Sequence, residues 1–261
     1  MGNSSKTGPD RTFAHDGVAG KIAVVTGGAG GIGSCIARLF ASRGATVVVA
    51  DKRIEEARLV AQSITQADGM ARACFVDISV LKSVEDLMAE AVGWFGRIDL
   101  LVHTAAIDAP RGLAWEIDED HWRTVTDVNL SGAWWCCKAA LPYMIAARAG
   151  RIVLMSSISY RQGSDGVSVA YNAAKAGLVG LTIGLAKQVE RYGILVNAIA
   201  PGSIGTGQPM TEEELAYDKM NFPLPIVGPG PVADACLYLC GNAGDWISGT
   251  VLNVSGGRMH G

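Results

Sequence analysis

The sequence predicts an α/β fold in which one doubly wound parallel sheet occupies a single domain. Short runs rich in β-branched residues show no polar alternation, which is typical of parallel strands buried on both faces. Segments with apolar residues at helical spacing separate these runs, and such β-α-β alternation implies right-handed crossovers within one sheet. The chain of 261 residues, 49% of them hydrophobic, is long enough to bury one large core.

The elements follow one another in the order that this fold requires. The predicted strands are 21–26, 45–50, 71–76, 98–103, 151–157, 194–199 and 250–254. The predicted helices are 35–43, 55–66, 80–95, 120–147, 170–187 and 232–240. We expect a flexible polar extension over residues 1–17 and a single domain over 18–261. Within that domain a segment with proline, methionine and aromatic residues, at about 203–225, is expected to form a lid.

Charge and composition exclude several classes of function. The net charge is -3, from 22 basic and 25 acidic residues that are interspersed, so we expect no nucleic-acid or membrane partner. No apolar run reaches the roughly 18 residues that span a bilayer, and the N-terminus has no apolar signal region, which predicts a cytoplasmic protein. The six cysteines lack C-x-x-C spacing and lie in apolar segments. This predicts buried free thiols rather than disulfides or a metal site.

A glycine-rich turn follows the first predicted strand directly and opens the first helix. It runs Gly27-Gly-Ala-Gly-Gly-Ile-Gly33, and glycines let a pyrophosphate approach the backbone at a helix N-terminus. The second strand ends in Asp51, at about the offset where a carboxylate accepts the ribose hydroxyls of a dinucleotide. This combination predicts a Rossmann-type dinucleotide site. The alternative is an ordinary glycine turn with a helix cap at Asp51.

Asp51 also predicts which dinucleotide binds. Its negative charge would repel the 2'-phosphate of NADP and accept hydrogen bonds from the ribose diol of NAD, so NAD is the expected cofactor. Lys52 and Arg53 would favour NADP if their side chains turned inward. Solvated residues at a helix start are the simpler interpretation.

A candidate base lies in the second half of the chain. Tyr171 and Lys175 are four residues apart in a predicted helix, so both side chains project from one face. An ammonium nearby favours the phenolate over a phenol whose ordinary pKa is about 10, so Lys175 would activate Tyr171. The preceding strand ends in Ser156 and Ser157, which places a hydroxyl donor at the carboxyl edge of the sheet. Taken alone, a Tyr-x-x-x-Lys pair also occurs by chance on solvated helices.

These motifs occur in the order found in the short-chain dehydrogenase/reductase family, and the sequence resembles its compact single-domain branch over nearly the whole chain. The family's T-G-x-x-x-G-x-G turn matches residues 26–33, its V-N-L matches 128–130, and its P-G-x-x-x-T matches 201–206. The resemblance implies a catalytic set of Asn129, Ser157, Tyr171 and Lys175, and no metal ion. The cofactor contacts that it implies are Gly27, Gly30, Gly31, Ile32, Gly33, Asp51, Asp77, Ile78, Ala105, Tyr171, Lys175, Pro201, Gly202, Ile204 and Thr206.

The sequence departs from the family pattern at two places. Ser157 precedes Tyr171 by 14 residues, one more than is usual, so Ser156 and Ser159 stay alternatives for the active-site serine. The family's N-N-A-G after the fourth strand reads H-T-A-A from His103. His103 is either a proton relay or, as we expect, a histidine satisfied by backbone at a strand end. Gly30 occupies a position where NADP-using relatives often carry a basic residue, which agrees with NAD.

The resemblance implies an enzyme that interconverts a secondary alcohol and a ketone with NAD(H). Tyr171 would take the hydroxyl proton, Ser157 would hydrogen-bond the substrate oxygen, and Asn129 would order a water between Lys175 and solvent. Two alternatives stay open. One is an NADPH-dependent reductase acting on 3-oxoacyl thioesters, and the other is a non-catalytic nucleotide-binding scaffold on the same fold.

The loops at the carboxyl edge are expected to form the substrate pocket, over residues 106–115, 159–166 and 203–225. They carry polar candidates at Arg111, Arg161 and Gln162 and apolar ones at Met210, Tyr217, Met220 and Phe222. A hydroxy acid, a polyol and a cyclic alcohol all fit these residues. The resemblance also suggests a homotetramer, with Trp134, Trp135 and the last strand as candidate contacts.

Overall fold

The computed structural model of the chain describes residues 17–107, 113–163, 167–205, 211–222 and 224–260. Its strands are β1 (Ile22–Thr26), β2 (Thr46–Asp51), β3 (Met70–Phe75), β4 (Leu100–His103), β5 (Gly150–Met155), β6 (Ile194–Pro201) and β7 (Val251–Val254). Within the described ranges these form a single seven-stranded sheet, ordered β3-β2-β1-β4-β5-β6-β7, in which all pairs are parallel. The predicted α/β fold with one doubly wound sheet is confirmed.

Helices connect successive strands. They are α1 (Gly31–Ser42), α2 (Ile54–Thr65), α3 (Leu81–Phe95), α4 (Glu119–Thr126), α5 (Gly132–Ala147), α6 (Ser159–Gln162), α7 (Val169–Val189), α8 (Glu212–Asn221) and α9 (Gly230–Cys240). A π-helical turn, Asp127–Ser131, joins α4 to α5, and two 3-10 turns, Glu190–Tyr192 and Asn242–Gly244, follow α7 and α9. The helices therefore cover the sheet as right-handed crossovers require.

The core lies in two layers, one on each face of the sheet. Along β1, Val24 packs into the layer formed with α3, α5 and α7, whereas Ala23 and Val25 pack into the layer formed with α1, α2 and α9. Successive side chains of a strand point to opposite faces, so a central strand that is covered on both faces is apolar at nearly every residue. This explains why the strand runs in the sequence show no polar alternation.

The order of the strands reverses between β1 and β4. The chain leaves β1 for β2 and β3 on one side, then returns to place β4 against the other side of β1. The connections diverge at this point, which leaves a crevice beyond the carboxyl ends of β1 and β4 where α/β proteins bind ligands.

The structure corrects one sequence prediction and adds helices to two others. The predicted single helix 120–147 is wrong, because the π-helical turn at Asp127–Ser131 separates α4 from α5. The segment 159–166, expected to line the substrate pocket, contains the short helix α6, and the expected lid contains the helix α8. Of the expected extension 1–17, only Gly17 falls within the described residues.

Helix α7 and the 3-10 turn after it, Val169–Tyr192, are long and apolar enough to cross a membrane by length and composition alone. In the structure α7 lies against β5 and β6, and it buries Leu178, Leu185 and the charged Lys175. Its buried apolar residues therefore belong to the core layer shared with α3 and α5, whereas Ile183 is exposed. The six cysteines are all free, and five of them are buried, with Cys35 at the boundary of the core.

Candidate active site

A cleft of about 690 Å³ opens at the carboxyl ends of β1 to β4, at the point where the strand order reverses. Six of the predicted cofactor residues line it, namely Gly27, Gly30, Asp51, Asp77, Ile78 and Ala105. The cleft is large enough for a small-molecule ligand of several hundred Å³. Its floor is the glycine turn, and its walls come from the loops after β2, β3 and β4.

The glycine turn fits a phosphate because backbone occupies the space where side chains would otherwise lie. Gly27 has φ +70, and a Cβ there would meet the Ala105 backbone nitrogen at 2.5 Å. A Cβ on Gly33 would lie 2.2 Å from the Gly27 carbonyl oxygen. Helix α1 begins beside this turn without a side-chain cap on its first amides. Uncapped N–H groups and the positive end of the helix dipole are the donors that bind a pyrophosphate.

Asp51 stands at the end of β2 with its carboxylate turned into the cleft. Its Oδ2 accepts the Ala29 amide at 3.0 Å and its Oδ1 accepts the Arg53 amide at 2.9 Å. The Arg53 Nε lies 3.5 Å from the same Oδ1. Because each carboxylate oxygen has two acceptor positions, both can still accept a ribose hydroxyl. Asp51 does not cap a helix, since neither α1 nor α2 has a side-chain cap hydrogen bond and the amides that it accepts precede both helices.

Asp77 follows β3 and is tied to its surroundings by three hydrogen bonds. Lys52 Nζ donates to its Oδ2 at 2.6 Å, and the amide and hydroxyl of Ser79 donate to its Oδ1. The hydrogen bond from Lys52, followed by those from Ser79, lowers the pKa of Asp77. Asp77 is therefore an anion throughout the neutral range and an acceptor at the rim of the cleft.

Tyr171 and Lys175 lie on one face of α7, as the spacing predicts. Lys175 is buried, and its Nζ donates to the Met155 carbonyl at 2.8 Å, which fixes the ammonium at the end of β5. The Nζ is 5.4 Å from the centroid of the Tyr171 ring. A cation at this distance from a phenol favours the phenolate over the neutral form.

This pair lies next to the cleft, one strand further along the same edge of the sheet. Ile107 lines the cleft, and Ile107 and Tyr171 pack against the same small cluster of Val125 and Ala170. Tyr171 therefore lies beside the part of the cleft that Ile107 lines. The structure brings the predicted base and the predicted dinucleotide site together.

The three candidate serines differ in exposure and bonding. Ser156 is buried, and its Oγ donates to the Lys175 carbonyl at 2.8 Å. Ser159 is also buried, whereas Ser157 is partly exposed. The Ser157 Oγ accepts the Ser159 amide at 3.2 Å, which uses an acceptor position and leaves the hydroxyl proton for another partner. These contacts favour Ser157 as the serine that meets a substrate.

Asn129 lies in the π-helical turn and is completely buried. Its Oδ1 accepts the Ile107 amide at 2.8 Å and its Nδ2 donates to the Ile107 carbonyl at 3.0 Å. These bonds use one acceptor position of Oδ1 and one of the two N–H groups of Nδ2, and they fix the side-chain amide against the loop after β4. π-helical turns are frequent at functional sites because they alter the backbone hydrogen bonds locally.

His103 ends β4 inside the core. Its Nδ1 lies 2.8 Å from the Thr26 Oγ1, and its Nε2 has no hydrogen-bond partner among the described residues. The expectation of a histidine satisfied by backbone is wrong, because its partner is a threonine hydroxyl. Burial, and then the Lys175 cation, lower the pKa of His103 from 6.5 to about 3. The imidazole therefore stays neutral at physiological pH.

The remaining predicted residues are distributed around this centre. Gly31 and Ile32 lie in the first turn of α1. Pro201 is the last residue of β6, on the far side of β5, and Gly202 and Ile204 follow it. The Gly202 amide donates to the Val254 carbonyl at 3.1 Å, which anchors the start of the lid. Thr206, Met210 and Arg111 lie outside the described residues.

Several cleft residues were not predicted from the sequence. The Thr104 Oγ1 donates to the Thr26 carbonyl at 2.8 Å, which holds the loop after β4 against the glycine turn. Ser79 bonds Asp77, and Thr124 and Asp127 line the side nearest α4. The sequence could have indicated Thr104, which directly follows a predicted strand, and Ser79, which lies two residues after Asp77. No sequence pattern indicates Thr124 and Asp127, because they reach the cleft through helix packing.

The fold and this site define a class of protein, and comparison with known families identifies it. The family model described as short chain dehydrogenase matches residues 21–216. The chain belongs to this family. It is therefore an oxidoreductase of a family that uses nicotinamide cofactors.

Two curated relatives share most of their length with this chain. The cis-4-hydroxycyclohexanecarboxylate dehydrogenase of Sinomonas cyclohexanicum is 38% identical over 243 residues, which cover 92% of this chain and 96% of the relative. The 3-oxoacyl-(acyl-carrier-protein) reductase FabG of Chlamydia muridarum is also 38% identical over 243 residues, covering 91% and 96%.

Solved structures agree with this assignment. The crystal structure of gox2181 has a TM-score of 0.89 at 28% identity, covering 93% of this chain and 96% of that one. A dehydrogenase/reductase from Sinorhizobium meliloti 1021 has a TM-score of 0.85 at 30% identity, with the same coverage of 93% and 96%.

Proposed function

We propose that the protein is an NAD-linked dehydrogenase that interconverts a secondary alcohol and a ketone. The observation that carries the proposal is the buried Lys175 ammonium, which is held by the Met155 carbonyl and lies 5.4 Å from the Tyr171 ring, beside the cleft. A phenol beside a fixed cation is a proton acceptor, and a secondary alcohol must lose its hydroxyl proton as it becomes a ketone.

Tyr171 takes the proton from the substrate hydroxyl and returns it in the reverse direction. Lys175 stabilises the phenolate and, because its Nζ is fixed to β5, holds that charge in one place. When bound, the nicotinamide supplies the acceptor for the hydride that leaves the carbinol carbon. Ser157 donates its hydroxyl proton to the substrate oxygen and stabilises the charge that develops there.

Asn129 acts as a positioning residue in this proposal. Its amide joins the π-helical turn to Ile107, and Ile107 packs on the cluster that supports Tyr171. Loss of either hydrogen bond would loosen the loop between the cleft and the phenol. Asn129 would also order a water between Lys175 and solvent.

NAD is the proposed dinucleotide because Asp51 presents a carboxylate to the ribose position. Its two oxygens are held by Ala29 and Arg53 amides, so the charge is fixed at the wall of the cleft. A 2'-phosphate there would meet a like charge, which costs affinity, whereas ribose hydroxyls find an acceptor.

A second candidate is the NADPH-linked reduction of a 3-oxoacyl thioester. One specific observation favours it, since Lys52 and Arg53 both line the cleft and Arg53 lies 3.5 Å from the Asp51 carboxylate. A modest rotation of an exposed guanidinium would offer a partner to a 2'-phosphate. The similarity to a 3-oxoacyl-(acyl-carrier-protein) reductase supports the same candidate.

Turnover by a Tyr171→Phe variant tests the chemistry. We expect NADH binding, measured by energy transfer from tryptophan, to stay within twofold of the native protein while turnover falls at least 100-fold. Tyr160→Phe is the matched control, since it removes a phenol from α6 rather than from α7. Turnover that survives in Tyr171→Phe would show that another residue carries the proton.

Competition between the two dinucleotides tests the cofactor. NADH is expected to bind at least tenfold more tightly than NADPH, and Asp51→Asn is expected to reduce that preference because it removes the repelling charge. Arg53→Ala is the matched control, and it should weaken NADPH and leave NADH nearly unchanged. A native preference for NADPH that depends on Arg53 would establish the second candidate instead.

A panel of secondary alcohols followed by NADH absorbance tests the substrate class. The panel includes cis-4-hydroxycyclohexanecarboxylate and a 3-hydroxyacyl thioester. One relative is named as a dehydrogenase of the first compound, and the other is named as a reductase of 3-oxoacyl groups.

We also propose a cytoplasmic homotetramer. Trp134 and Trp135 are partly buried beside the core, and β7 pairs on one side only within the described sheet. Sedimentation as a monomer would contradict that assembly.

A further inference from the structure

A buried ion pair joins the lid to the C-terminal segment. Asp218 lies in α8, and Arg258 follows β7, and both residues are buried. The Arg258 Nη2 donates to Asp218 Oδ1 at 2.6 Å and to Oδ2 at 2.7 Å, and its Nε donates to Oδ1 at 3.1 Å. Charge-assisted bonds of this geometry are the strong ones in proteins.

Within the part of the lid that the structure describes, the helix α8 buries little besides Asp218. Among the side chains of α8 that the structure describes, Asp218 is the one that is buried. Its larger apolar residues face outward, with Leu215 51%, Tyr217 61% and Met220 79% exposed. A helix of 10 residues is marginal in isolation, and most helices are stabilised by packing an apolar face. In α8 the ion pair between Asp218 and Arg258 provides the contact that a packed apolar face provides in other helices.

Arg258 reaches the lid because the C-terminal segment turns sharply after β7. Gly256 and Gly257 have φ +60 and +81, conformations that other residues rarely adopt. The Arg258 Nη1 donates back to the Ser255 carbonyl at 3.2 Å, and its Nη2 donates to the Leu224 carbonyl at 3.2 Å. The Phe222 ring lies 4.8 Å from the guanidinium carbon. The bond to Ser255 thus holds the Arg258 side chain against its own segment, while the same side chain contacts α8 and the residues just after α8.

Both ends of this contact belong to the carboxyl edge of the sheet, where the candidate site lies. β6 leads into the lid, and Ile204 pairs with Val227 in a parallel bridge that fixes the base of the lid. β7 leads into Ser255, next to the Gly202 backbone. The contact between Asp218 and Arg258 therefore determines where α8 lies relative to the part of the site that would hold the substrate.

We propose that Asp218 and Arg258 are positioning residues for the substrate, which hold α8 against the C-terminal segment so that its exposed apolar residues are presented to a substrate beside Tyr171. The claim that α8 contacts the substrate rests on the proposed function. The claim that the ion pair holds α8 in place does not. Loss of either charge releases α8 without disturbing the dinucleotide cleft, since neither residue lines it.

Hydrogen exchange measured by mass spectrometry tests the link without any substrate. In Arg258→Met and in Asp218→Asn, we expect amides of 212–222 to exchange at least tenfold faster than in the native protein, while β1 and β5 stay unchanged. Trypsin should cut after the exposed Lys219 at least tenfold faster. Arg258→Lys, which keeps a cation, should restore slow exchange in part.

Arg151→Met is the matched control, because it removes the ion pair with Asp245 at the other end of the sheet and should leave 212–222 unchanged. If Arg258→Met fails to fold, Gly256→Ala serves instead, since its Cβ would lie 2.8 Å from the Arg258 Nη1 and displace the guanidinium with both charges present. Unchanged exchange in 212–222, or an equal rise throughout the sheet, overturns the proposal.

Kinetics test the consequence for the substrate. With an alcohol that the native protein oxidises, Asp218→Asn should raise KM at least fivefold and change the NADH Kd by less than twofold. A fall in kcat alone, with KM unchanged, would overturn the positioning role. If the native protein oxidises no alcohol, the proposed function fails, and the exchange result still decides whether the pair holds the lid.

Discussion

Replacing His103 with asparagine tests whether a buried neutral imidazole makes the fold sensitive to acid. His103 contacts Thr26 at the end of β4, and burial together with the Lys175 cation lowers its pKa from 6.5 to about 3. Asparagine can keep a hydrogen bond to Thr26 but does not titrate. The variant therefore isolates the protonation of one side chain.

The expected magnitude follows from linkage. Between pH 6.5 and about 3 the unfolded chain binds a proton at His103 that the folded protein excludes, so the free energy of unfolding falls as pH decreases. The slope is about 1.4 kcal/mol per pH unit, so His103 accounts for a loss of about 2 kcal/mol between pH 7.5 and pH 5.0. Above pH 6.5 both states are neutral at this residue, and no contribution is expected.

Urea unfolding at a fixed protein concentration measures this difference. The free energy of unfolding is determined at pH 7.5 and pH 5.0 for the native protein and for His103→Asn. Other titrating groups are common to both proteins and cancel, so the variant should lose about 2 kcal/mol less over this interval. Equal losses in the two proteins would refute the argument, because His103 would then protonate as readily in the fold as in the unfolded chain.

Other substitutions test the turn, the serines and the thiols. Gly33→Ala places a Cβ 2.2 Å from the Gly27 carbonyl oxygen and should abolish NADH binding in a fluorescence titration, whereas Gly93→Ala, which meets nothing within 4 Å, should not. Ser157→Ala should lower kcat by roughly 100-fold or more, whereas Ser156→Ala should chiefly lower the melting temperature, through loss of a buried hydrogen bond worth about 1 kcal/mol. With a thiol reagent at pH 8, Cys35 alone should react before denaturation. Burial raises the pKa of the thiols of Cys74, Cys137 and Cys240 to about 12, and it also raises the pKa of the Cys136 and Cys236 thiols well above the ordinary value.

The sheet and its helices could be predicted because their signals are local. A strand buried on both faces is apolar at nearly every residue, and a helix on one face must repeat its apolar residues at helical spacing. The glycine turn is local as well, since Gly27 and Gly33 are close in sequence and lie between a strand and a helix. The pairing of Tyr171 with Lys175 needed only the geometry of one helix.

The π-helical turn around Asn129 could not be predicted, because one extra residue in a turn leaves the apolar pattern of 120–147 almost unchanged. The partner of His103 was also inaccessible to sequence reasoning. Thr26 lies 77 residues earlier in the chain and meets His103 only because β1 and β4 are neighbours in the sheet. The choice between Ser156 and Ser157 required the exact end of β5, which places one hydroxyl beneath α7 and leaves the other partly exposed.

The sequence by itself determined the class of fold, the order of its elements and the residue types at the cleft, because periodicity and short motifs act over a few residues. The tertiary structure decided which distant groups meet. It joined Lys52 to Asp77 at the rim of the cleft and Arg258 to Asp218 across 40 residues of chain. Such pairs depend on how strands are ordered and where loops end, and residues far apart in sequence carry no local pattern that records their contact.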